Sequence, residues 1–386
     1  MGVGRLIDAD LSFIKFLKQS GGEDVKKCYQ CATCSAVCSL SPADKPFPRK
    51  EMLLASWGQS DKLVKDPDIW LCYQCNDCST YCPRGAKPGN VLAAVRNYVY
   101  QHCAFPSFMG KALASPKALP LLIAAPMAIM AAVFFASKKF PTIAHDPSLN
   151  MHTDHITSST VLLDSVFSIH VVEPLFIAGN ILIFICAFMG LWRFWNSLES
   201  PAGKAEVGFV AGVILTVKDI LTHGRFFDCG QNKPRSWGHM LVFYGFFGAA
   251  ATAGLGALML KIMHEPPPIP LGHPVKWLGN LSGLAGIVGS AALLFRRFTD
   301  SEEVGANGYQ DWLFLIVIFL CFVTGFMTQF TRMSGTSLAF GVYYIHLCIV
   351  FFLLWYAPYS KFGHMFYRGL ALVHARCTGR LDDGGK

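Results

Sequence analysis

Charge is what this sequence has least of. Of its 386 residues, 15% are Asp, Glu, Lys or Arg and 53% are hydrophobic, where soluble domains average roughly 25% charged. A wholly soluble protein is excluded. The scarcity is uneven, because none of the four charged types occurs from Met333 to Ser360, while charge concentrates before Lys117. That division predicts one polar domain and one membrane domain. A long apolar run is missing from the start of the chain, the first beginning near Ala118, so no secretory signal is expected and the N-terminal part should lie in the cytoplasm. Interleaved basic and aromatic residues are also missing. The net charge of +8 comes from Lys and Arg beside apolar spans, which speaks for membrane topology and against nucleic acid. The spans show no internal repeat and almost no buried charge, which argues against a transporter.

Cysteine, by contrast, is abundant, and its placement matters more than its number. Eight of the fourteen form two runs, Cys28, Cys31, Cys34, Cys38 and Cys72, Cys75, Cys78, Cys82, the second followed by Pro83. Each spells C-x2-C-x2-C-x3-C, the bacterial spacing for [4Fe-4S] clusters in which the fourth cysteine ligates the other cluster. Cys28, Cys31, Cys34 and Cys82 are therefore assigned to one cluster, and Cys72, Cys75, Cys78 and Cys38 to the other. Structural zinc, which favours separated pairs, fits less well. Ser39 replaces the proline after the first run without threatening ligation. Cys103, Cys186, Cys229, Cys321, Cys348 and Cys377 are scattered and read as inert thiols.

The fold class expected is all-α: an N-terminal helical ferredoxin-like domain with two clusters, then a six-helix transmembrane cytochrome b bundle. Residues 1–105 form the cluster domain, 106–117 a linker and 118–386 the membrane domain. Within the first, helices are expected over 6–17, 48–57 and 90–100, with a loop over 61–68. A span needs about 20 apolar residues, and six stretches qualify: 118–136, 171–192, 240–260, 277–295, 312–331 and about 338–359. Residues 207–217 are too few and should lie at the interface. Lys and Arg collect after the second and fourth spans and in the tail, as at Arg193, Lys204, Arg296, Arg297, Arg368 and Arg380. Both termini are then cytoplasmic, on the inner membrane.

Ionisable residues at membrane depth are functional by default. His346 and His364 are eighteen residues apart, five helical turns, and would share one face about 27 Å apart if the helix continued through Pro358. His239 opens the third span at the level of His364, and this pair is read as the axial ligands of an inner haem b. An outer haem would use His346. Its partner is less defined, because Ala249, Ala250 and Ala251 occupy the matching depth, which leaves His170 as the nearest alternative with His264 and His273 behind it. His223 could replace His239, although a solvated loop residue is the plainer reading. His102, His145, His152, His155 and His374 read as surface residues. Glu173, three residues from His170, could accept a quinol proton or simply begin a helix.

These features resemble known proteins. The cysteine runs are similar to those of the small iron-sulfur subunit of heterodisulfide reductases. Arg235-Ser-Trp-Gly-His239, Phe243-Tyr-Gly-Phe246 and the His346 to His364 spacing resemble the cytochrome b subunit of those enzymes and the nitrate reductase gamma subunit. Their fusion in one chain resembles the fused membrane component of the quinone-interacting membrane-bound oxidoreductase complex of sulfate-reducing bacteria. That resemblance implies two b haems, menaquinone chemistry, flavin and iron-sulfur partners resembling the flavoprotein subunit of heterodisulfide reductase, and electron delivery toward adenylylsulfate reductase. No adjacent Cys-Cys pair occurs, so the active-site module of the disulfide-reducing relatives is missing. The function expected is electron transfer between menaquinol and cytoplasmic flavoproteins through haem b and two clusters. A membrane anchor whose clusters serve a docked reductase is the alternative.

Overall fold

The computed structural model describes residues 8–42, 45–140, 142, 161–199, 207–227, 233–265, 267–299 and 308–381, and all regular structure among them is helical. In the N-terminal part, α1 (Leu11–Gln19) starts where the Asp10 carboxylate accepts from Phe13 N at 3.0 Å, satisfying a backbone donor that the first turn leaves open. Single turns α2 (Thr33–Ala36) and α6 (Asp77–Thr80) follow the two cysteine loops. Between them lie α3 (Arg49–Ser56), α4 (Ser60–Lys65) and α5 (Asp68–Leu71). The last two occupy the segment 61–68 expected to be a loop. Leu63 and Val64 enter the core there, and that burial outweighs the polar local composition. Helix α7 (Pro88–Cys103) opens on a proline whose fixed φ suits a first turn, and it packs Tyr98 against Phe13 of α1.

The expected linker is instead largely helix α8 (Ser107–Ala114), with Leu113 buried. Among the described residues, six helices beyond it are long and apolar enough to cross a membrane, over Pro116–Ser137, Ile169–Ser197, Arg235–Met263, Pro274–Thr299, Tyr309–Met333 and Leu338–Trp355. Their helices are α9 (Leu119–Ser137), α10 (Ile169–Ser197), α13 (Lys233–Leu258), α14 (Pro274–Thr299), α15 (Tyr309–Met333) and α16 (Leu338–Trp355). The short apolar stretch forms α11 (Phe209–Thr222), followed by the turn α12 (Gly224–Phe227). It exposes Phe209, Val210, Ile214, Val217 and Leu221, the one-sided pattern of an interfacial helix.

One expectation fails at the last span. Helix α16 stops at Trp355, two short 3₁₀ turns cover Ala357–Tyr359 and Lys361–Gly363, and α17 (His364–Cys377) begins at His364. Pro358 lacks the amide that a continuing helix needs. His346 and His364 therefore belong to different helices and share no common face by periodicity.

Helices α13 and α14 approach closely through small residues. A Cβ on Gly245 would stand 2.7 Å from Ser282 O, and one on Gly289 2.7 Å from Gly238 O, so backbone meets backbone as in small-residue membrane interfaces. The N-terminal domain packs against the membrane helices. Trp70 of α5 stacks on Tyr367 of α17 at 5.6 Å and meets Phe194 of α10, while Tyr100 of α7 meets Tyr367. All four belong to one buried cluster. The tail is tied to the same domain, because Arg380 donates to both Asp68 oxygens at 2.6 and 2.7 Å. Lys50 Nζ lies 2.9 Å from Asp66 and Asp68 and 3.3 Å from Glu51, so the chain itself supplies a cation to this buried acidic cluster.

Candidate functional site

The two cysteine runs adopt the same backbone. Each contains Cys-Tyr-Gln-Cys, and Gln30 and Ala32 of the first have φ of 60° and 69°, matched by 55° and 74° at Gln74 and Asn76 of the second. Left-handed conformations are costly for residues with a Cβ, and their recurrence at equivalent positions marks loops wound around something. Amide donors face the sulfurs: Gln74 N lies 3.2 Å from Cys72 Sγ, Ala86 N 3.4 Å from Cys82 Sγ and Gln30 Nε2 3.3 Å from Cys28 Sγ. The repeat of Tyr and Gln inside the runs is a sequence signal that cysteine spacing alone does not use.

Thiol electrostatics group the cysteines across the runs. Burial pushes Cys34 up to about 11, reinforced by the charges of Cys28 and Cys82. Burial pushes Cys38 up to about 12, with Cys72 and Cys75 adding to it. Cys78 is raised strongly by burial and by Cys72, Cys75, Cys38 and Cys34. Exposed Cys31 goes the other way, lowered by the Thr33 hydroxyl 3.4 Å away. Sulfurs so crowded can be thiolates together only around a cationic centre, and the donor set of eight sulfurs fits two cubanes. The described cysteines form no disulfide.

Beside the second run, three histidines converge. His364 and His239 have ring centres 6.2 Å apart, and His223 lies 5.3 Å from His239. Two imidazoles sharing one metal through bonds of about 2 Å would have centres about 6 Å apart. His364 Nδ1 is 2.6 Å from the Lys361 carbonyl, which fixes the proton there and presents Nε2, the usual support for a ligating histidine. His239 Nδ1 is buried without a hydrogen-bond partner. Burial lowers His364 to about 4 and lowers His223 as well, so both rings are held in the neutral form that binds metal. His223 is buried, in a left-handed turn at the end of α11, which overturns its reading as a solvated loop residue. His374 is also buried, edge-on to Trp195, and is not a surface residue. His145, His152 and His155 lie outside the described residues.

His239 and His364 line two adjoining cavities. One is walled by Phe243, Phe246, Phe247 and Phe362. The other opens toward the second cysteine loop and is lined by arginines together with Tyr73 and Gln74. Arg96 donates to Cys72 O at 2.9 Å and to Gln74 Oε1 at 3.0 Å, Arg235 donates to Gln74 O, and the Arg368 guanidinium sits 3.4 Å above the Tyr73 ring. Lys361 contacts Asp311, yet burial and the like charges of Arg297, Arg235 and Arg96 push it well below the ordinary lysine range.

The remaining candidates stand elsewhere. His346 Nδ1 lies 2.9 Å from Thr324 Oγ1 and its ring faces Gly325 of α15. His170 lies in the first turn of α10. Glu173 is held by Lys261 at 2.9 Å, a pairing not foreseen and one that gives its charge a structural partner.

Known proteins match the chain over two separate stretches. Residues 24–86 match the 4Fe-4S dicluster domain family and residues 176–384 the citrate utilization protein B family. The C subunit of the H(2):CoB-CoM heterodisulfide,ferredoxin reductase of Methanothermobacter marburgensis is 33% identical over 88 residues, 23% of this chain and 48% of that protein. Citrate utilization protein B of Escherichia coli is 30% identical over 196 residues, 48% of this chain and 50% of that protein. A protein of Archaeoglobus profundus named for its likeness to the C subunit of heterodisulfide reductase is 31% identical over 102 residues, 26% of this chain and 54% of that protein. The chain spans about half the length of these relatives, and no solved structure matches it. Since the second family match takes in more than half of the chain and all three converging histidines, the chain belongs to the citrate utilization protein B family.

Proposed function

We propose that this chain, an iron-sulfur electron-transfer subunit by its dicluster domain and its heterodisulfide reductase relatives, links a membrane quinol to a soluble flavin and iron-sulfur partner through haem b and two [4Fe-4S] clusters. Cys28, Cys31, Cys34 and Cys82 hold one cluster, and Cys72, Cys75, Cys78 and Cys38 the other. His239 and His364 hold the haem, with His223 as neighbour. Haem b supplies a one-electron carrier at the edge of the apolar layer. The observation that carries the reading is the facing pair His239 and His364, set in a cavity that reaches the loop of Cys72 and Cys75.

An outer haem on His346, with His170 as partner and Glu173 as proton acceptor, remains part of the reading and has the weaker support, since His346 is engaged by Thr324 and Glu173 by Lys261. The quinol is menaquinol, the partner resembles the flavoprotein subunit of heterodisulfide reductase, and both termini are cytoplasmic in the inner membrane. The likeness to the fused membrane component of the quinone-interacting membrane-bound oxidoreductase complex points to electron delivery toward adenylylsulfate reductase. The family match favours a second reading at that end, in which the soluble partner serves citrate utilization. Co-purification of the partner separates the two.

Haem and iron assays on the purified full chain, followed by His364→Ala, test the reading. The variant should lose reduction of the clusters by menaquinol and keep their reduction by dithionite. Normal quinol reduction in the variant would leave the chain as an anchor whose clusters serve a docked reductase.

A further inference from the structure

The two Cys-Tyr-Gln-Cys loops share a backbone and differ in what covers them. The second is covered by the membrane half: Arg368 of α17 lies 3.4 Å over the Tyr73 ring, Phe226 of α12 meets that ring at 5.8 Å, and Arg235 of α13 donates to the Gln74 carbonyl. The matching groups of the first loop are open. Tyr29 is 69% exposed, and among the described residues only Arg84 of its own domain engages the ring, 4.1 Å from its centre and donating to its hydroxyl at 3.0 Å. The Gln30 carbonyl accepts from no described group. Cys31 is the one exposed cysteine among those described, whereas Cys75 at the matching position is partly buried. Tyrosine and arginine are the side chains that most often anchor protein interfaces, and here they flank the cluster ligand that reaches the surface. Electron transfer between proteins weakens steeply with distance, so an exit belongs where a cluster comes nearest to solvent. Redox encounters bury little surface, and a single loop is enough to set one.

We infer that the first cysteine loop is the docking face for the soluble electron-transfer partner, which lays an aromatic side chain on Tyr29 and a hydrogen-bond donor on the Gln30 carbonyl, as Phe226 and Arg235 do for the second loop. This rests on the reading proposed above and adds where the electron leaves. The second cluster, under the membrane half, receives it. One electron at a time then passes from the cluster on Cys28, Cys31, Cys34 and Cys82, which is oxidised, to the partner's flavin or iron-sulfur group, which is reduced, and no bond forms or breaks.

The test uses the full chain isolated with its partner from native membranes and reduced with menaquinol, the clusters and the partner's flavin being followed separately by absorbance. Tyr29→Ser, and separately Arg84→Glu, should keep about eight irons and normal reduction of the clusters by menaquinol, and should slow reduction of the flavin at least about tenfold, the loss expected of one interface anchor. Normal flavin reduction in both variants overturns the docking face and leaves the proposed function standing. Should either variant lose iron, hydroxyl-radical oxidation of Tyr29 in the wild type decides. It should run several-fold slower in the complex than in the chain alone, and equal rates overturn the docking face. Protection of Tyr29 that grows with the concentration of the chain alone gives the loop to a second copy and overturns the assignment to a partner. Wild-type clusters that menaquinol does not reduce overturn the quinol reading, and the radical measurement still decides the docking face.

Discussion

Cys82 is the residue on which the crossed ligation turns. It stands ten residues past Cys72 in the second run, yet its charge acts on Cys34 of the first, while Cys78 feels Cys72, Cys75 and Cys38 more than it feels Cys34. Cys82→Ser should therefore lower iron from about eight to about four atoms per chain and remove the paramagnetic signal of the cluster on Cys28, Cys31 and Cys34. Loss of the other signal would mean each run closes its own cluster. The cysteines were legible in the sequence because cluster ligation is a local pattern of short intervals. His239 and His364 were legible because histidines are rare at membrane edges. His223 was not, since only the left-handed turn after α11 and the packing of Phe226 and Phe243 bring it inward. The arginine cavity was read as topology, because counting positive charges by loop says nothing of which of them converge. Glu51 was invisible for the same reason. Burial raises it above its ordinary 4.5, so the folded chain keeps a proton that the unfolded chain releases above that pH. Stability from this group is full below 4.5 and falls as pH rises toward the folded value. Glu51→Gln keeps the neutral form throughout, so its melting temperature should exceed that of the wild type near pH 8 and match it near pH 4.

At the scale of elements, long helices were readable and short ones were not. The six spans follow from runs of apolar residues, and their ends moved by only a few positions. Helices α4, α5 and α8 are too short to show a period, and they form because Leu63, Trp70 and Leu113 find buried places in the fold. The spacing of His346 and His364 suggested one helix, and Pro358 overrode the arithmetic. Helix α11 shows how a segment too short to span is still fixed. Arg376 of α17, 1% exposed, donates to Thr216 at 2.6 Å and pairs with Asp219. Asp219→Ala removes the facing carboxylate from a buried guanidinium, which destabilises the packing of α11 on α17. The variant should melt well below the wild type in detergent. On the haem reading proposed above, its haem spectrum should also broaden, since α11 carries His223 toward His239. An unchanged melting temperature would mean that the Arg376 to Asp219 pair does not hold α11 in place.

At the scale of the molecule, the boundary drawn after residue 105 separates two chemistries whose side chains share one buried cluster. Composition changes there, since charge thins out and apolar runs begin, and a reader of sequence has no means of seeing that Trp70 and Tyr100 finish their packing on Phe194 and Tyr367. Burial of an aromatic side chain from either domain is worth about 1.5–3 kcal/mol, and the buried Arg380 to Asp68 pair closes the same joint from the tail. The arrangement suits electron transfer, because the second cysteine loop is held against the His239 and His364 cavity by the packing that folds both halves. A fragment ending at residue 105 would expose Trp70 and Tyr100 and leave Asp68 without Arg380. Expressed alone, it should bind fewer than the eight irons of the full chain and aggregate, whereas Tyr367→Ala in the full chain should keep the irons and slow the passage of electrons from quinol to the clusters. A soluble fragment with eight irons and native cluster signals would show that the cluster domain folds by itself, and the shared core would then serve docking alone.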